Sequence, residues 1–266
     1  MTTVYSDLVR YRELFGNLFR RDVQAKYRGS LLGLAWTLAN PVLLMAVYLL
    51  VFSVLWKTPF GSEGHYALFL LVGLSAWIFF AQSVQSASRS MLDNANLIRK
   101  TRFPRQLVPL SVVATHLISF GVMVVVLLGL NFALLPRVRD TEWLALPLGL
   151  AVVAITSGLA LAIASLNVLF RDIEFLVAAL LLPLFFLTPV LYPLSDPQIA
   201  RHDWVVDLIH WANPLSPAIE ALRDPLFYGR LPGLADTLYT VIAAIVALAL
   251  GAFVFSRVDD QIAVEV

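Results

Sequence analysis

LVPLSVVATHLISFGVMVVVLLGLNFALL, residues 107–135, runs through 29 positions without an Asp, Glu, Lys or Arg. A helix of that length rises about 43 Å, and crossing the ~30 Å hydrocarbon core of a bilayer needs about 20 residues. No face of the stretch is polar enough for a water-facing surface. Its apolar residues do not alternate as barrel strands must, and lipid offers backbone groups no partners, so a transmembrane helix is the element that satisfies it.

Five more runs of the same kind lie on either side: Leu31–Trp56, Tyr66–Val84, Trp143–Leu169, Phe175–Tyr192 and Leu238–Phe255. Phe175–Tyr192 is the shortest and carries Pro183 and Pro189. The expected fold is therefore an all-α integral membrane protein with six transmembrane helices. Composition agrees, with 59% apolar and 14% charged residues where soluble domains run nearer a quarter charged. No internal repeat or linker divides the chain, so residues 1–266 read as a single domain. The charged first thirty residues, with no early apolar run, argue against a cleaved secretory signal.

Arg and Lys orient the bundle. With the N-terminus in the cytoplasm, the inner segments hold 13 of them and the outer segments six; six spans then return the C-terminus to the cytoplasm. Trp36, Trp56, Trp77 and Trp143 lie towards span ends, where an indole buries its ring and keeps its N–H wet.

Four segments stand outside the spans. In residues 6–27, Leu8, Tyr11, Phe15, Leu18 and Phe19 recur at helical spacing among basic residues, with Ser6 and Asp7 suited to a helix start. Such an amphipathic helix lies along a membrane surface, whether as a simple anchor or as something more. The loop Ser86–Gln106 sets Leu97, Ile98 and Phe103 among Arg99, Lys100, Arg102 and Arg105. Positive-inside bias explains the charges, whereas apolar side chains in an aqueous loop point to a docking surface. The turn Asn167–Glu174 carries Arg171, Asp172 and Glu174, as a locally paired turn or as a contact. Residues 193–236 form an outer segment with room for two short helices, the first started by Asp203, the second by Ser216 with Pro217 following and Pro225 ending it. They read as re-entrant pieces or as a cap on the bilayer.

The missing chemistry is equally informative. There is no Cys, hence no disulfide or thiolate metal site. His65, His116, His202 and His210 share no metal-ligand spacing, and no P-loop, HExxH or Ser/His/Asp grouping is present. No span interior carries a charged residue, although carriers coupled to ions place ionisable groups there. His116 is the one titratable candidate, and a lone His at that depth is more often a packing residue. Uphill movement would thus draw its energy from a partner. Ala243, Ala247 and Gly251 line one face of the last span, Gly158 and Ala162 one face of the fourth; close packing within the chain or across a dimer accounts for both.

Several motifs together resemble one family. GSLLGLAWTLANPVLLMAVYLLVFSVLW (29–56), with Gly33, Trp36 and Pro41, is similar to the first span of type-2 ABC exporter permeases, and RDVQAKYRGS (21–30) to the segment leading into it. NANLIRKTRFPRQLVPLS (94–111) resembles the loop bearing the coupling helix. LNVLFRDIEFLVAALLLPLFFLTPVLYPLS (166–195) and NPLSPAIEALRDPLFYG (213–229) resemble the fourth-to-fifth span and outer loop. The resemblance is to the branch that exports O-antigen, capsule and teichoic-acid polysaccharides. It implies a homodimeric permease of the bacterial inner membrane, without a catalytic site of its own. Two copies of a separate ATPase subunit would bind ATP and Mg, and a lipid-linked polysaccharide would be the cargo. It also implies ATPase coupling through Asn94, Leu97, Ile98, Arg99, Lys100, Arg102 and Phe103, with Arg171, oriented by Asp172, as a second contact. Spans one and five border the channel in this family, which makes Trp36, Tyr48, Trp56, Phe185, Phe186 and Tyr192 its expected lining: flat rings offer sugar C–H faces a weak, repeated platform. Trp204, Leu208, Trp211 and Phe227 would belong to the outer gate. A membrane enzyme acting on lipid-linked sugars and a secondary transporter are the rival readings. The first lacks a clustered acid or base beyond Arg171, Asp172 and Glu174, and the second lacks charged spans.

Overall fold

The computed structural model describes residues 7, 10–28, 35–48, 50–51, 66–100, 103–134, 140–194 and 203–265. The described residues are helical, with no strand among them: α1 (Arg12–Tyr27), α2 (Ala35–Tyr48), α3 (Tyr66–Asp93), α4 (Ala95–Lys100), α5 (Leu107–Leu134), α6 (Ala145–Leu169), α7 (Asp172–Phe186), α8 (Asp203–Ala212), α9 (Leu215–Arg223) and α10 (Leu234–Glu265). A 3-10 turn, Glu142–Leu144, precedes α6 and a π turn, Asp224–Tyr228, follows α9.

Among the described residues, four helices are long and apolar enough to cross a membrane: α3, α5, α6 with its leading turn, and α10. α3 is the centre of the bundle, with 78% of its apolar window buried against 33% for α5 and for α10. It packs on α5 on one side and α6 on the other, and α6 in turn packs along α10. The α6–α10 seam is set by glycine. A Cβ at Gly158 would overlap the Ala247 carbonyl, and one at Gly251 would overlap the Gly158 backbone. The small-residue faces therefore pack against each other within one chain, where absent side chains let the backbones meet. Hydroxyls inside the spans return to their own helix: Ser75 bonds to the Val72 carbonyl, Thr115 to Ser111, Thr156 to Val152 and Ser165 to Ala162. No water is then needed at those depths.

The other two expected spans differ. Of Leu31–Trp56 the described part is α2 with residues 50–51, and Trp56 lies outside the described residues. The fifth helix is 15 residues, Asp172–Phe186, and rises about 22 Å. It begins before Phe175 and stops well short of Tyr192, giving way to a turn at Leu187. Two further helices overrun their hydropathy limits. α3 continues past Val84 to Asp93, and α10 continues past Phe255 to Glu265.

These overruns build a second core at what we call the basic end of the bundle. Leu18 of α1, Met91 of α3, Ile98 of α4, Leu107 and Val108 of α5, and Phe255, Val258 and Ile262 of α10 are all buried there. α1 packs against α5. Gln106 donates to Asp7 at 2.7 Å, Ser111 to Asp22 at 2.8 Å, and Lys26 to Ser119 at 3.3 Å. Expected residues 8 and 6 fall outside the described set, but Tyr11, Phe15 and Leu18 do face inward.

Candidate functional site

Three places carry the residues of interest. At the basic end, α4 projects between α3 and α5. Arg99 and Lys100 are exposed, and Asn94 and Leu97 are half-buried. Ile98 is 6% exposed and sits inside the basic-end core; Leu97 and Phe103 pack against the edge of that core. Ile98 therefore faces its own chain, not an outside groove, because α4 is amphipathic and its apolar side is already covered by Leu18 and α10. Arg102 lies outside the described residues. Arg105 reaches Asp259 of α10 at 2.9 Å, tying the loop after α4 to the last helix.

The turn after α6 lies beside this surface. Arg171 and Asp172 are exposed, and among the described residues no ion pair joins them, contrary to the expected orientation of Arg171 by Asp172. The organising residue is Asn167, wholly buried. Its amide donates to the Ser88 carbonyl of α3 at 2.9 Å, and its oxygen accepts the Glu174 N–H of the first turn of α7 at 2.9 Å. It thereby satisfies one of the amide donors that a helix start leaves open. Arg89 to Glu174, at 3.2 Å, is the ion pair across the turn.

His116 is a packing residue with both ring nitrogens in use. Lys26 donates to Nδ1 at 3.2 Å and Nε2–H donates to Ser86 Oγ at 3.1 Å, the tautomer assigned from this network. Burial against α5 pulls the Lys26 ammonium below the ordinary lysine range.

The second place is an aromatic group between α2, α3 and α7. Phe185 stacks with Tyr48 at 6.0 Å, tilts against Trp77 at 5.4 Å and meets Phe186 edge-on at 5.3 Å. Tyr192 donates to the Phe186 carbonyl at 2.8 Å. Of the expected rings, Tyr48, Phe185, Phe186 and Tyr192 are thus brought together, though not on one surface, and among the described residues Trp36 is not part of the group. Phe185 is 7% exposed and belongs to the core, whereas Phe186 and Trp36 are each 55% exposed. Trp77, read from sequence only as an interfacial residue, is the ring that buries Phe185.

At the far end, α8, α9 and the π turn form a cap over α3, α6 and α10. Trp204, Leu208 and Trp211 are exposed, but Phe227 is buried, meeting Phe69 edge-on at 5.7 Å. Phe227 is thus a core residue and lines no opening here. The cap is tied down by Tyr239 to the Trp211 carbonyl at 2.6 Å, His210 to Asp236 at 2.7 Å and Asn213 to Thr188 at 2.7 Å. Asn213 also accepts the Leu215 N–H, so the second short helix is started by Asn213, while the Ser216 hydroxyl is buried without a partner. The α-helix ends at Arg223 with Asp224 as its C-cap, immediately before Pro225, as expected. The chain runs on through the π turn to Gly229, whose φ of 65° reverses it. Asp224 then receives Arg230 Nε at 2.7 Å and the Gly233 N–H at 3.1 Å. This hydrogen bond holds Arg230 above the ordinary arginine range.

Arg223 is the residue the sequence reading passed over. It was counted as one more outer basic side chain, yet it has no exposed surface. Its guanidinium lies 3.6 Å from the Phe69 ring centroid and donates to the Pro189 and Val190 carbonyls and to Glu220. Burial lifts Glu220 above the usual carboxylate range and Arg223 pulls it back. One signal was available: Arg223 falls four residues after Ile219, on the stripe of α9 that also holds Leu215, Ala218 and Leu222.

Comparison with known proteins extends these observations. The family model described as ABC-2 type transporter matches residues 13–227. The chain is 33% identical over 267 residues, 99% of each chain, to the O-antigen export system permease protein RfbA of Myxococcus xanthus. It is 31% identical over 215 residues, 79% of each chain, to a protein of the same name from Klebsiella pneumoniae.

Proposed function

The chain belongs to the ABC-2 type transporter family, and from that premise we propose that it is the permease subunit of an O-antigen exporter, moving a lipid-linked polysaccharide from the cytoplasm across the inner membrane. The observation that carries the reading is similarity that runs end to end. A relative named as an O-antigen export permease matches 99% of its own length against 99% of this chain, so no additional domain accounts for the likeness.

In this reading the permease is a homodimer, and two copies of a separate ATPase bind ATP and Mg and supply the work. α2 and α7, with the residues flanking each, are the first and fifth of six spans, and both termini are cytoplasmic. The basic end then faces the ATPase. α4 and the loop after it present Leu97 and Phe103 at the edge with Arg99 and Lys100 beside them, and Arg171 and Asp172 lie alongside. Buried apolar anchors carry most of such a contact and rim charges little. Ile98 works from behind, fastening α4 to the basic-end core. A push on α4 is thereby transmitted to α3, α5 and α10, which share that core. The exposed rings Trp36 and Phe186 belong to the first and fifth spans and are the rings available to line a channel completed by a second copy. Trp204, Leu208 and Trp211 close its outer mouth.

The test is reconstitution in cells lacking their own O-antigen permease. Expression of this chain with its ATPase should restore long surface glycan, and expression without the ATPase should not. Restoration without any ATPase, or a pure permease that modifies the lipid-linked sugar, would overturn the reading. Because the chain has no Cys, a single cysteine at Asn96 tests orientation directly, and it should resist an impermeant reagent added from the periplasm.

A further inference from the structure

The turn that ends α7 leaves main-chain acceptors in an unusual position. Pro183 lies inside α7, the helix ends at Phe186, and the turn beyond it, which holds Pro189, has no helical partners for its carbonyls. Three consecutive carbonyls, of Pro189, Val190 and Leu191, are nevertheless met by side chains. Arg223 of α9 donates to the first two, with 2.7 Å to Val190, and Tyr66 of α3 donates to the third at 2.6 Å. The guanidinium is also pinned from the other side. Phe69 stacks on it, Glu220 lies 2.8 Å away, and Gly73 leaves just enough space: a Cβ there would stand 2.7 Å from the nearer nitrogen and 3.1 Å from the Val190 carbonyl.

A fully buried arginine is costly unless its charge and donors are met. Here they are met almost wholly by atoms that other elements contribute, and Nε alone lacks a partner. A planar fork can reach two successive carbonyls and a carboxylate together, which a lysine cannot. Asn213 to Thr188 adds a bond between the same two segments.

We propose that Arg223 is the positioning residue of the outer gate: it clamps the broken end of α7 to α9 and α3, so that the end of the fifth span and the outer cap move as one body and the resting bundle stays sealed. The clamp deepens the exporter reading and rests on it for the direction of transport, but its primary readout is ion leak, which needs no glycan. In proteoliposomes of the permease–ATPase complex without nucleotide, Arg223→Met should raise ion leak on the order of tenfold, as expected when a charge-assisted hydrogen bond is lost from a two-state closure. Arg223→Lys should leak nearly as much, although it keeps the charge. Should Arg223→Met fail to assemble, Gly73→Ala and Tyr66→Phe disturb the same joint more gently, and each should leak more than the parent at parental expression. Parental leak in every variant that assembles overturns the clamp. So does full rescue by lysine, which would assign Arg223 a charge requirement alone. Should the parent complex move no glycan, the exporter reading falls while the leak comparison still decides the clamp.

Discussion

Ile98→Ala separates two roles for α4. The change removes three carbons from a side chain that is 6% exposed in the basic-end core. At ~0.8 kcal/mol per buried methylene the transfer loss alone is about 2.4 kcal/mol. An incompletely collapsed cavity places the total near 3 kcal/mol, inside the 2–5 range of such truncations. α4 has six residues, too few to hold together without tertiary packing, so the loss should appear first as its detachment. The purified permease without ATPase should then unfold at a lower temperature, and amides 95–100 should exchange hydrogen faster. Leu97→Ala, at a half-buried site, should cost the permease about half as much or less, with its main effect on ATPase retention during co-purification. Leu97→Asp should go further and uncouple export while the protein still inserts. The reasoning fails if Ile98→Ala unfolds like the parent yet loses the ATPase, because Ile98 would then be an anchor on the partner after all.

Gly158→Ala should destabilise the permease by about 1–3 kcal/mol through overpacking against the Ala247 carbonyl. Gly121→Ala, with nothing within 4 Å of its Cβ, should leave stability unchanged or raise it by up to ~1 kcal/mol through helix propensity; thermal unfolding in detergent compares the two. Asn167→Ala removes two buried hydrogen bonds at ~1 kcal/mol each, so an unfolding midpoint equal to the parent's would refute its role as the organiser of the turn. Asp22→Ala takes away the bond from Ser111 and should loosen α1 from α5, read as faster tryptic cleavage at Arg20 and Arg21 in intact proteoliposomes.

Hydropathy made the long helices legible because burial in lipid demands apolar residues on all sides over about 20 positions. That demand ends at the membrane, and the reading failed there. α10 continues to Glu265 although Arg257, Asp259 and Asp260 interrupt its apolar run; Phe255, Val258 and Ile262 keep helical spacing and bury one face against Leu18 and Ile98. An amphipathic continuation looks like a loop to a window that averages both faces. α7 failed in the other direction. Its apolar run extends to Tyr192, and only Pro183 and Pro189 signal that the helix stops short.

The site residues divide along a physical line. Ile98, Phe185 and Phe227 were read as facing a partner, a channel and a gate, and all three are buried in the chain's own core. An apolar side chain near a membrane face is equally suited to partner, lipid or core, so its identity cannot choose among them. A charged or amide side chain has narrower requirements, because burying it leaves donors that must be met. Arg223, Asn167 and Asn213 each join segments far apart in sequence: Arg223 donates to the Val190 carbonyl, Asn167 to the Ser88 carbonyl and Asn213 to the Thr188 hydroxyl. Sequence alone shows the demand and hides the supply. The Arg223 fork could be recognised on the apolar stripe of α9, but the carbonyls that receive it belong to the turn beyond α7, 33 and 34 residues earlier in the chain. In this bundle, then, the polar residues on apolar stripes locate the joints between segments, and the conspicuous aromatic and aliphatic residues mostly report the packing around them.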